Sequence, residues 1–260
     1  MKLATEIRGQ GPDLVLLHGW GLHSGVWSPL VQRLAGQFRC HLIDLPGHGD
    51  SPLGDCRDLD AWVDAVFRVA PPGARWIGWS LGGLVAQQAA LRHPERISAL
   101  VLAASTPRFV TAPDWPYAIS VESLGLFVDE YEQDFDRVLQ RFLTMQVSGS
   151  RERSATLQTL RAEFARKPPP RSEGLRTGFE ILKCADFRAA LPAFPVPLYF
   201  LLGEYDMLIP ARIVRQLGDV PVHVVAGAGH APFISHADLC AGILAQWLIG
   251  NDEAESIGRG

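Results

Sequence analysis

The sequence has no uninterrupted apolar run of about 18 residues, the length that a membrane-spanning helix needs, so no such helix is predicted. Cysteine is scarce: four residues, with no Cys-x-x-Cys pair and no ligand-like spacing to histidine, predict neither a disulfide framework nor a zinc site. We therefore interpret the four thiols as buried and free. The first residues, MKLATEIRGQGPD, lack the apolar core of a secretory signal, so a cytoplasmic protein is expected.

A large net charge is also missing. The formal net charge of −4 argues against a dedicated nucleic-acid binder. The charges are nevertheless unevenly placed, because residues 137–176 contain nine basic and three acidic side chains, a net charge of +6. The rest of the chain then carries −10, so a basic segment is embedded in an acidic protein.

The pattern of apolar residues predicts an α/β fold. Short β-type runs alternate with helical patterns, which is typical of a mostly parallel sheet of about seven strands flanked by helices. The predicted strands are Leu3–Arg8, Leu14–His18, Phe38–Asp44, Arg75–Trp79, Ala99–Ala104, Pro197–Leu202 and Val222–Ala226. The predicted helices are Val26–Ala35, Leu59–Val69, Leu81–Arg92, Arg212–Leu217 and Ala237–Leu248.

One long segment breaks this alternation. Residues 108–184 show helical periodicity without strand-like runs, for example Val138, Phe142 and Met145 at i, i+4 and i+7. We expect a core formed by residues 1–107 and 185–260, with residues 108–184 inserted as an all-helical lid.

A Gly-x-Ser-x-Gly motif lies where a predicted strand meets a predicted helix. Gly78, Ser80 and Gly82 would allow the strained turn that lifts a serine hydroxyl above a sheet. The alternative is a tight turn with an incidental serine. We interpret Ser80 as the catalytic nucleophile.

A serine nucleophile needs a base and an acid that orients the base. Asp206 and His230 each follow a predicted strand, so both are expected at the same edge of the sheet as Ser80, in the order serine, acid, histidine. Glu204 is the alternative acid and His236 the alternative base; we expect Asp206 and His230.

Two backbone N–H groups are expected to stabilise the oxyanion. One belongs to Leu81, directly after the nucleophile, and the other to Trp20, in the glycine-containing loop that follows an early strand. Another loop, Asp44–Ser51, is expected to shape the same edge.

These motifs together resemble the α/β-hydrolase superfamily. A narrower resemblance is to the pimeloyl-[acyl-carrier protein] methyl ester esterase family of biotin synthesis, and it rests on LLHGWGL from Leu16, GWSLGGLVA from Gly78, Arg137 with Arg141-Phe142-Leu143, GFEILK from Gly178 and HAPFISH from His230.

This resemblance implies a methyl-esterified pimeloyl chain carried on acyl carrier protein, an acidic partner, and no metal or cofactor. Trp20, Leu81 and Phe142 are the implied substrate contacts. Arg137 and Arg141, four residues apart on one helix face, are the expected carrier-docking pair. We expect neither a nucleic-acid partner nor a membrane partner, and we expect the protein to be a monomer.

Two other functions stay open. The same residues would serve a general short-chain carboxylesterase without a carrier partner. Because a fold does not fix a function, the chain could also be a non-catalytic ligand-binding member of the superfamily. Epoxide-hydrolase and dehalogenase chemistry is not expected, since those relatives place aspartate where this chain has Ser80.

Overall fold

Seven strands form one sheet in the computed structural model, which describes residues 1–125 and 135–257. Their order is β1-β3-β2-β4-β5-β6-β7, and β1 alone among them runs antiparallel to its neighbour. The predicted mostly parallel sheet of about seven strands is confirmed. The strands are β1 Thr5–Arg8, β2 Asp13–Leu17, β3 Arg39–Ile43, β4 Ala74–Trp79, β5 Ile97–Ala103, β6 Leu198–Gly203 and β7 Val222–Val225.

Helices cover the sheet on both faces. All six residues of β4 are buried, which explains why this strand is a continuous apolar run. Crossovers are right-handed, so the β2–β3 and β4–β5 connections, which lead to opposite edges of the sheet, place their helices on opposite faces. The helices are α1 Ser28–Leu34, α2 Leu59–Phe67, α3 Leu81–Arg92, α4 Phe135–Gln146, α5 Arg153–Phe164, α6 Ser172–Cys184, α7 Pro232–Ser235 and α8 Ala237–Ile257.

Most predicted elements agree with the structure, with two corrections. The predicted helix Arg212–Leu217 is a 3-10 helix, Ala211–Gln216. The thiols are free, but Cys184 is exposed at the end of α6, so the expectation that all four are buried is wrong for it. Burial raises the pKa of Cys40 and of Cys240 to about 12, which makes these two thiols inert.

Between β5 and β6, the described residues include α4, α5 and α6 and contribute no strand to the sheet. The two ends of this insertion meet, since the Phe187 N–H donates to the Pro107 carbonyl at 2.8 Å. No described helix combines the length and the apolar character needed to cross a membrane.

The direction in which successive strands are added to the sheet reverses next to β2. β3 pairs with one side of β2 and β4 with the other, so the loops that follow β2 and β4 start out side by side at the carboxyl edge. Open α/β sheets bind ligands in the crevice at such a reversal. The fold therefore directs attention to Trp20, after β2, and to Ser80, after β4.

Candidate active site

Ser80 occupies a strained turn between β4 and α3. Its φ of 53° and ψ of −117° lie outside the backbone regions that residues with a side chain favour, and such a conformation typically costs about 1–3 kcal/mol. A side chain at position 78 would collide with the backbone of Gly82, and a side chain at position 82 would collide with the backbone of Leu17. The Ser105 hydroxyl donates to the Ser80 carbonyl at 2.8 Å and helps to hold the turn. Two small residues and one hydrogen bond thus permit this conformation.

Asp206 and His230 form a buried, hydrogen-bonded pair. His230 Nδ1 lies 2.7 Å from Asp206 Oδ2, and the other carboxylate oxygen accepts the N–H groups of Leu208 and Ile209 at 2.8 and 2.9 Å. An ionised carboxylate only accepts, so Nδ1 carries a proton, and in the neutral ring Nε2 then has the lone pair. Nε2 is buried and has no hydrogen-bond partner among the described residues. It is therefore available to take a proton.

Trp79 connects the serine turn to the histidine. Its indole N–H donates to the His230 carbonyl at 2.8 Å, and its ring packs edge-on against Trp27 and Phe233. Trp79 directly precedes Ser80, so this bond fixes the histidine backbone relative to the serine. Within the described residues Ser80 makes no hydrogen bond to His230; such bonds are often long until substrate is bound.

The alternative acid and base have other partners. Glu204 Oε2 accepts the Gly227 N–H at 2.8 Å, so Glu204 ties together the loops that carry Asp206 and His230. His236 Nδ1 lies 2.8 Å from the Ser235 hydroxyl. The geometry therefore favours Asp206 and His230 over these two residues.

The two expected oxyanion donors flank the serine turn. Leu81 is the first residue of α3, so its N–H has no acceptor inside the helix. Gly19 lies against Ser80, since a Cβ on Gly19 would be 3.3 Å from the Ser80 Cβ, and Trp20 is the next residue. Neither the Trp20 nor the Leu81 N–H donates to a backbone carbonyl within the described chain. Both are thus available to a ligand.

Two buried histidines hold the loop around Trp20. His18 Nε2 accepts the Leu45 N–H at 2.9 Å, and His48 Nε2 accepts the Gly21 N–H at 3.3 Å. Burial, with the charge of His48, lowers the pKa of His18 to about 3, and burial lowers that of His48 to about 4. Both rings are therefore neutral and structural at pH 7. In residues 1–125 and 135–257 no three His, Cys, Asp or Glu side chains are grouped to hold a metal ion.

The Asp44–Ser51 loop is built around a buried carboxylate. Asp44 accepts the N–H groups of Ser24 and Asp50 and the ammonium of Lys167, at 2.8, 3.0 and 2.8 Å. Lys167 belongs to the insertion, so this ion pair joins the insertion to the sheet. The sequence predicted a shaping role for the loop but not this partner.

A narrow apolar cavity of about 20 Å³ opens at Ser80. Of the expected substrate contacts, Trp20 and Phe142 line it, whereas the Leu81 side chain packs against Gly178 of α6. Met145 and Leu182 follow Phe142 and Phe179 by three residues on their helices, a spacing that could have indicated them. The lining residues are Trp20, Ser80, Phe109, Leu124, Phe142, Met145, Phe179, Leu182 and Leu208.

Helix α4 separates basic from apolar residues. Arg137 and Arg141 are exposed, while Val138 and Phe142, on the adjacent face, are buried. The expected docking pair therefore lies on the outer face of a helix whose inner face reaches the cavity. The six further arginines of the basic segment are also exposed: Arg151, Arg153, Arg161, Arg166, Arg171 and Arg176.

Known proteins share both sequence and fold with this chain. The profile described as "Alpha/beta hydrolase family" matches residues 14–243. Two proteins named "Pimeloyl-[acyl-carrier protein] methyl ester esterase" are similar over most of their length. The one from Klebsiella pneumoniae is 43% identical, with 91% of this chain and 94% of the relative covered, and the one from Methylococcus capsulatus is 37% identical, with 95% and 99% covered. An esterase from Exiguobacterium antarcticum has a TM-score of 0.83 at 20% identity, covers 95% of both chains and shows the shared fold. These matches confirm the resemblance drawn from the motifs, and the chain belongs to the alpha/beta hydrolase family.

Proposed function

We propose that this chain, a carboxylic ester hydrolase, hydrolyses the methyl ester of pimeloyl-[acyl-carrier protein] in biotin synthesis and releases methanol. The observation that carries the chemistry is the buried Asp206–His230 pair, whose Nε2 has no partner among the described residues, at the same edge of the sheet as Ser80. The relatives named for this ester supply the substrate class.

The reaction follows from these roles. His230 Nε2 takes the Ser80 proton as the serine oxygen bonds to the ester carbonyl carbon, and the N–H groups of Trp20 and Leu81 stabilise the oxyanion. The tetrahedral intermediate collapses, His230 returns the proton to the departing methoxide, and methanol leaves. Water, deprotonated by His230, then attacks the acyl-enzyme and regenerates Ser80 as the free acid is released. Acyl transfer by this route requires no cofactor.

The cavity supports an aliphatic, uncharged acyl end. Its described wall is aromatic and aliphatic apart from Ser80, so the cavity, once widened, would bind methylene groups and a neutral methyl ester. After hydrolysis the product is a carboxylate. Keeping this charge in the cavity would cost the free energy of removing it from water, because no charged side chain is among the described lining residues. This asymmetry favours release after hydrolysis.

The helical insertion would act as a lid that docks the carrier. Arg137 and Arg141 lie on the outer face of α4, and an acidic carrier protein would complement them. The carrier's prosthetic arm would then deliver the acyl chain beside Phe142, on the inner face. The cytoplasmic location and the monomeric state stay predictions.

The deciding experiment compares kcat/KM for methyl pimeloyl-carrier and for a small free methyl ester. We expect Arg137→Glu with Arg141→Glu to lower turnover of the carrier substrate by at least about 10-fold, because each buried or close charge contact contributes about 1 kcal/mol or more, and to spare the free ester.

The matched control reverses two exposed arginines outside the insertion, Arg68 and Arg215, which changes the net charge equally. This control should behave like the unaltered protein. Equal losses on both substrates, or no preference for the carrier form in the unaltered protein, would overturn the carrier proposal and favour a general short-chain esterase. Ser80→Ala, which should abolish hydrolysis of both esters, measures the background.

A further inference from the structure

We propose that the turn between α4 and α5, residues 146–151, positions the catalytic histidine, so that the insertion is part of the catalytic machinery as well as a cover. We name residues 146–151 the bracing turn. This inference rests on the proposed role of His230 as the base, and it adds a positioning element from a different part of the chain.

The first observation concerns the backbone of His230. Its N–H donates to the carbonyl of Gln146, at the end of α4, with a distance of 2.9 Å. Its carbonyl accepts the indole N–H of Trp79 at 2.8 Å. The residue is thus held from one side by the strand that ends at Ser80 and from the other side by the insertion. Moving either contact would move the imidazole relative to the serine.

The second observation is that the same turn contacts the remainder of the histidine loop and the acid loop. The Arg151 N–H donates to the Gly227 carbonyl at 3.0 Å, three residues before His230. Gly149 lies against Tyr205, the residue before Asp206: a Cβ on Gly149 would be 2.8 Å from the Tyr205 Cβ. The bracing turn therefore touches the neighbours of both members of the pair.

The third observation is that these contacts leave no free space. A Cβ on Gly229 would be 3.0 Å from the Gln146 carbonyl oxygen and 3.5 Å from the Ser150 Cβ. Gln146 and Ser150 are buried, with 1% and 9% of their surface exposed. Since packed interfaces transmit displacements rather than absorb them, a small shift of the turn would reach His230.

The position of the turn on the insertion gives it a functional consequence. Helix α4, which ends at Gln146, also contributes Phe142 and Met145 to the cavity wall and carries Arg137 and Arg141 on its outer face. A substrate that seats α4 would at the same time seat the Gln146 carbonyl against His230. The alternative, simple packing, predicts a loss of stability without a specific loss of turnover.

The main test is Gly149→Ala. This glycine has a φ of +82°, and the added Cβ would press on Tyr205, so the turn must shift although no catalytic residue is substituted. The matched control is Gly73→Ala, because Gly73 has a φ of +69° with nothing within 4 Å and lies at the end of β4 remote from Ser80. Both variants carry the backbone strain, and only the first moves the turn.

A second pair of variants avoids the left-handed conformation. Gly229→Ala presses on the Gln146 carbonyl without a positive φ, and Gly242→Ala, on α8 with nothing within 4 Å, is its control. This pair keeps the test available if Gly149→Ala does not fold.

Each variant is assayed for kcat and KM on a small p-nitrophenyl ester, for the rate at which an organophosphate labels Ser80, and for thermal unfolding. We expect Gly149→Ala and Gly229→Ala to lower kcat by about 10-fold or more, with KM and the folded fraction at the assay temperature nearly unchanged and the labelling rate falling in parallel, because sub-ångström misplacement of catalytic groups costs rate. Kcat values that match the two controls, or losses that only follow the unfolded fraction, would overturn the proposal.

The small ester separates this inference from the carrier proposal. Loss of carrier preference alone would leave the test intact, since every rate is measured without a carrier. If Ser80→Ala or His230→Ala retained full activity on the small ester, the triad itself would be wrong and the positioning role would fail with it. An unchanged Gly149→Ala beside an inactive His230→Ala would remove only the positioning role.

Discussion

Asp206 and Glu204 show how two nearby carboxylates acquire different roles from their hydrogen-bond partners. Asp206 accepts two backbone N–H groups on one oxygen and His230 on the other, so its orientation is fixed from three directions. Glu204 accepts the Gly227 N–H and stabilises a loop. The sequence favoured Asp206 because it lies further beyond the end of β6, and its contact with His230 is a second argument for the same proposal.

Asp206→Asn is expected to lower kcat by about 10⁴-fold, the effect known for the acid of serine-histidine-aspartate triads, because the amide no longer enforces the Nδ1 proton on His230. Glu204→Gln keeps an acceptor oxygen for Gly227 and should retain most activity. Both are measured as kcat/KM on a small methyl ester, with thermal unfolding as the check on folding. A larger loss in Glu204→Gln than in Asp206→Asn would reverse the assignment of the acid.

The residues that the sequence predicted and those that it missed differ in a simple way. Ser80, Asp206 and His230 each follow a strand, so their placement at one edge follows from the alternation of strands and helices. The contact of Trp79 with His230 joins positions 151 residues apart, and a tryptophan in an apolar strand is most simply interpreted as core. Local patterns therefore predicted at which edge of the sheet these three groups lie, and only the tertiary structure shows what holds them.

At the scale of elements, helix α6 approaches the loops that follow β3, β2 and β4 through two glycines on one face. Gly174 lies against Gly47, where an added Cβ would be 3.0 Å from the Gly47 Cα, and Gly178 lies against Trp20 and Leu81. The Trp20 indole also donates to the Leu175 carbonyl of α6 at 2.8 Å. Residues four apart share a helix face, so the glycines form a flat strip that allows close approach.

Gly178→Ala has two opposing effects on stability, one from helix propensity and one from packing. Alanine favours a helix by about 1 kcal/mol over glycine, but its Cβ would be 2.9 Å from both Trp20 and Leu81, and overpacking a tight contact costs about 1–3 kcal/mol. We expect net destabilisation and a weaker apparent affinity for the ester, because Trp20 lines the cavity. The measurements are the free energy of unfolding in urea and KM.

The control for this prediction is Gly242→Ala on α8, where no atom lies within 4 Å of an added Cβ. That variant should gain up to about 1 kcal/mol of stability from propensity alone. Stabilisation of similar size in Gly178→Ala would show that α6 has room to move and that the strip is not tightly packed.

Across the whole molecule, the sequence predicted the sheet better than the way in which the insertion covers it. Strand and helix periodicities are local, so most element boundaries are confirmed to within a few residues. The contacts between insertion and sheet join distant segments, such as Lys167 and Asp44, 123 residues apart, and no local pattern indicates them. Within residues 137–176, Lys167 thus forms an ion pair inside the molecule, whereas Arg137 and Arg141 are proposed to contact a carrier protein.

The Asp44–Lys167 ion pair makes the stability of the whole molecule depend on pH in a predictable direction. Burial would raise the pKa of Asp44, but His18 and the hydrogen bonds from Lys167 and Ser24 outweigh it and hold that pKa at about 2. An unfolded aspartate titrates near 3.9, so the unfolded state binds the proton first as the pH falls. The contribution of Asp44 is therefore complete above about pH 5 and is lost as the pH falls from about 4 towards 2.

Lys167→Met removes the partner and leaves the Asp44 carboxylate buried. We expect a loss of about 3 kcal/mol in the free energy of unfolding at pH 7, and this loss should shrink as the pH falls from 5 to 2, because the folded pKa of Asp44 rises towards its unfolded value in the variant. Lys183→Met is the matched control: its ion pair with Glu180, at 3.2 Å, is exposed, so its removal should change stability by at most about 0.5 kcal/mol at any pH. Urea unfolding at pH 7, 5 and 3 measures both variants. A pH-independent loss in Lys167→Met would mean that the methylene stem of the lysine, rather than its charge on Asp44, holds the insertion to the sheet.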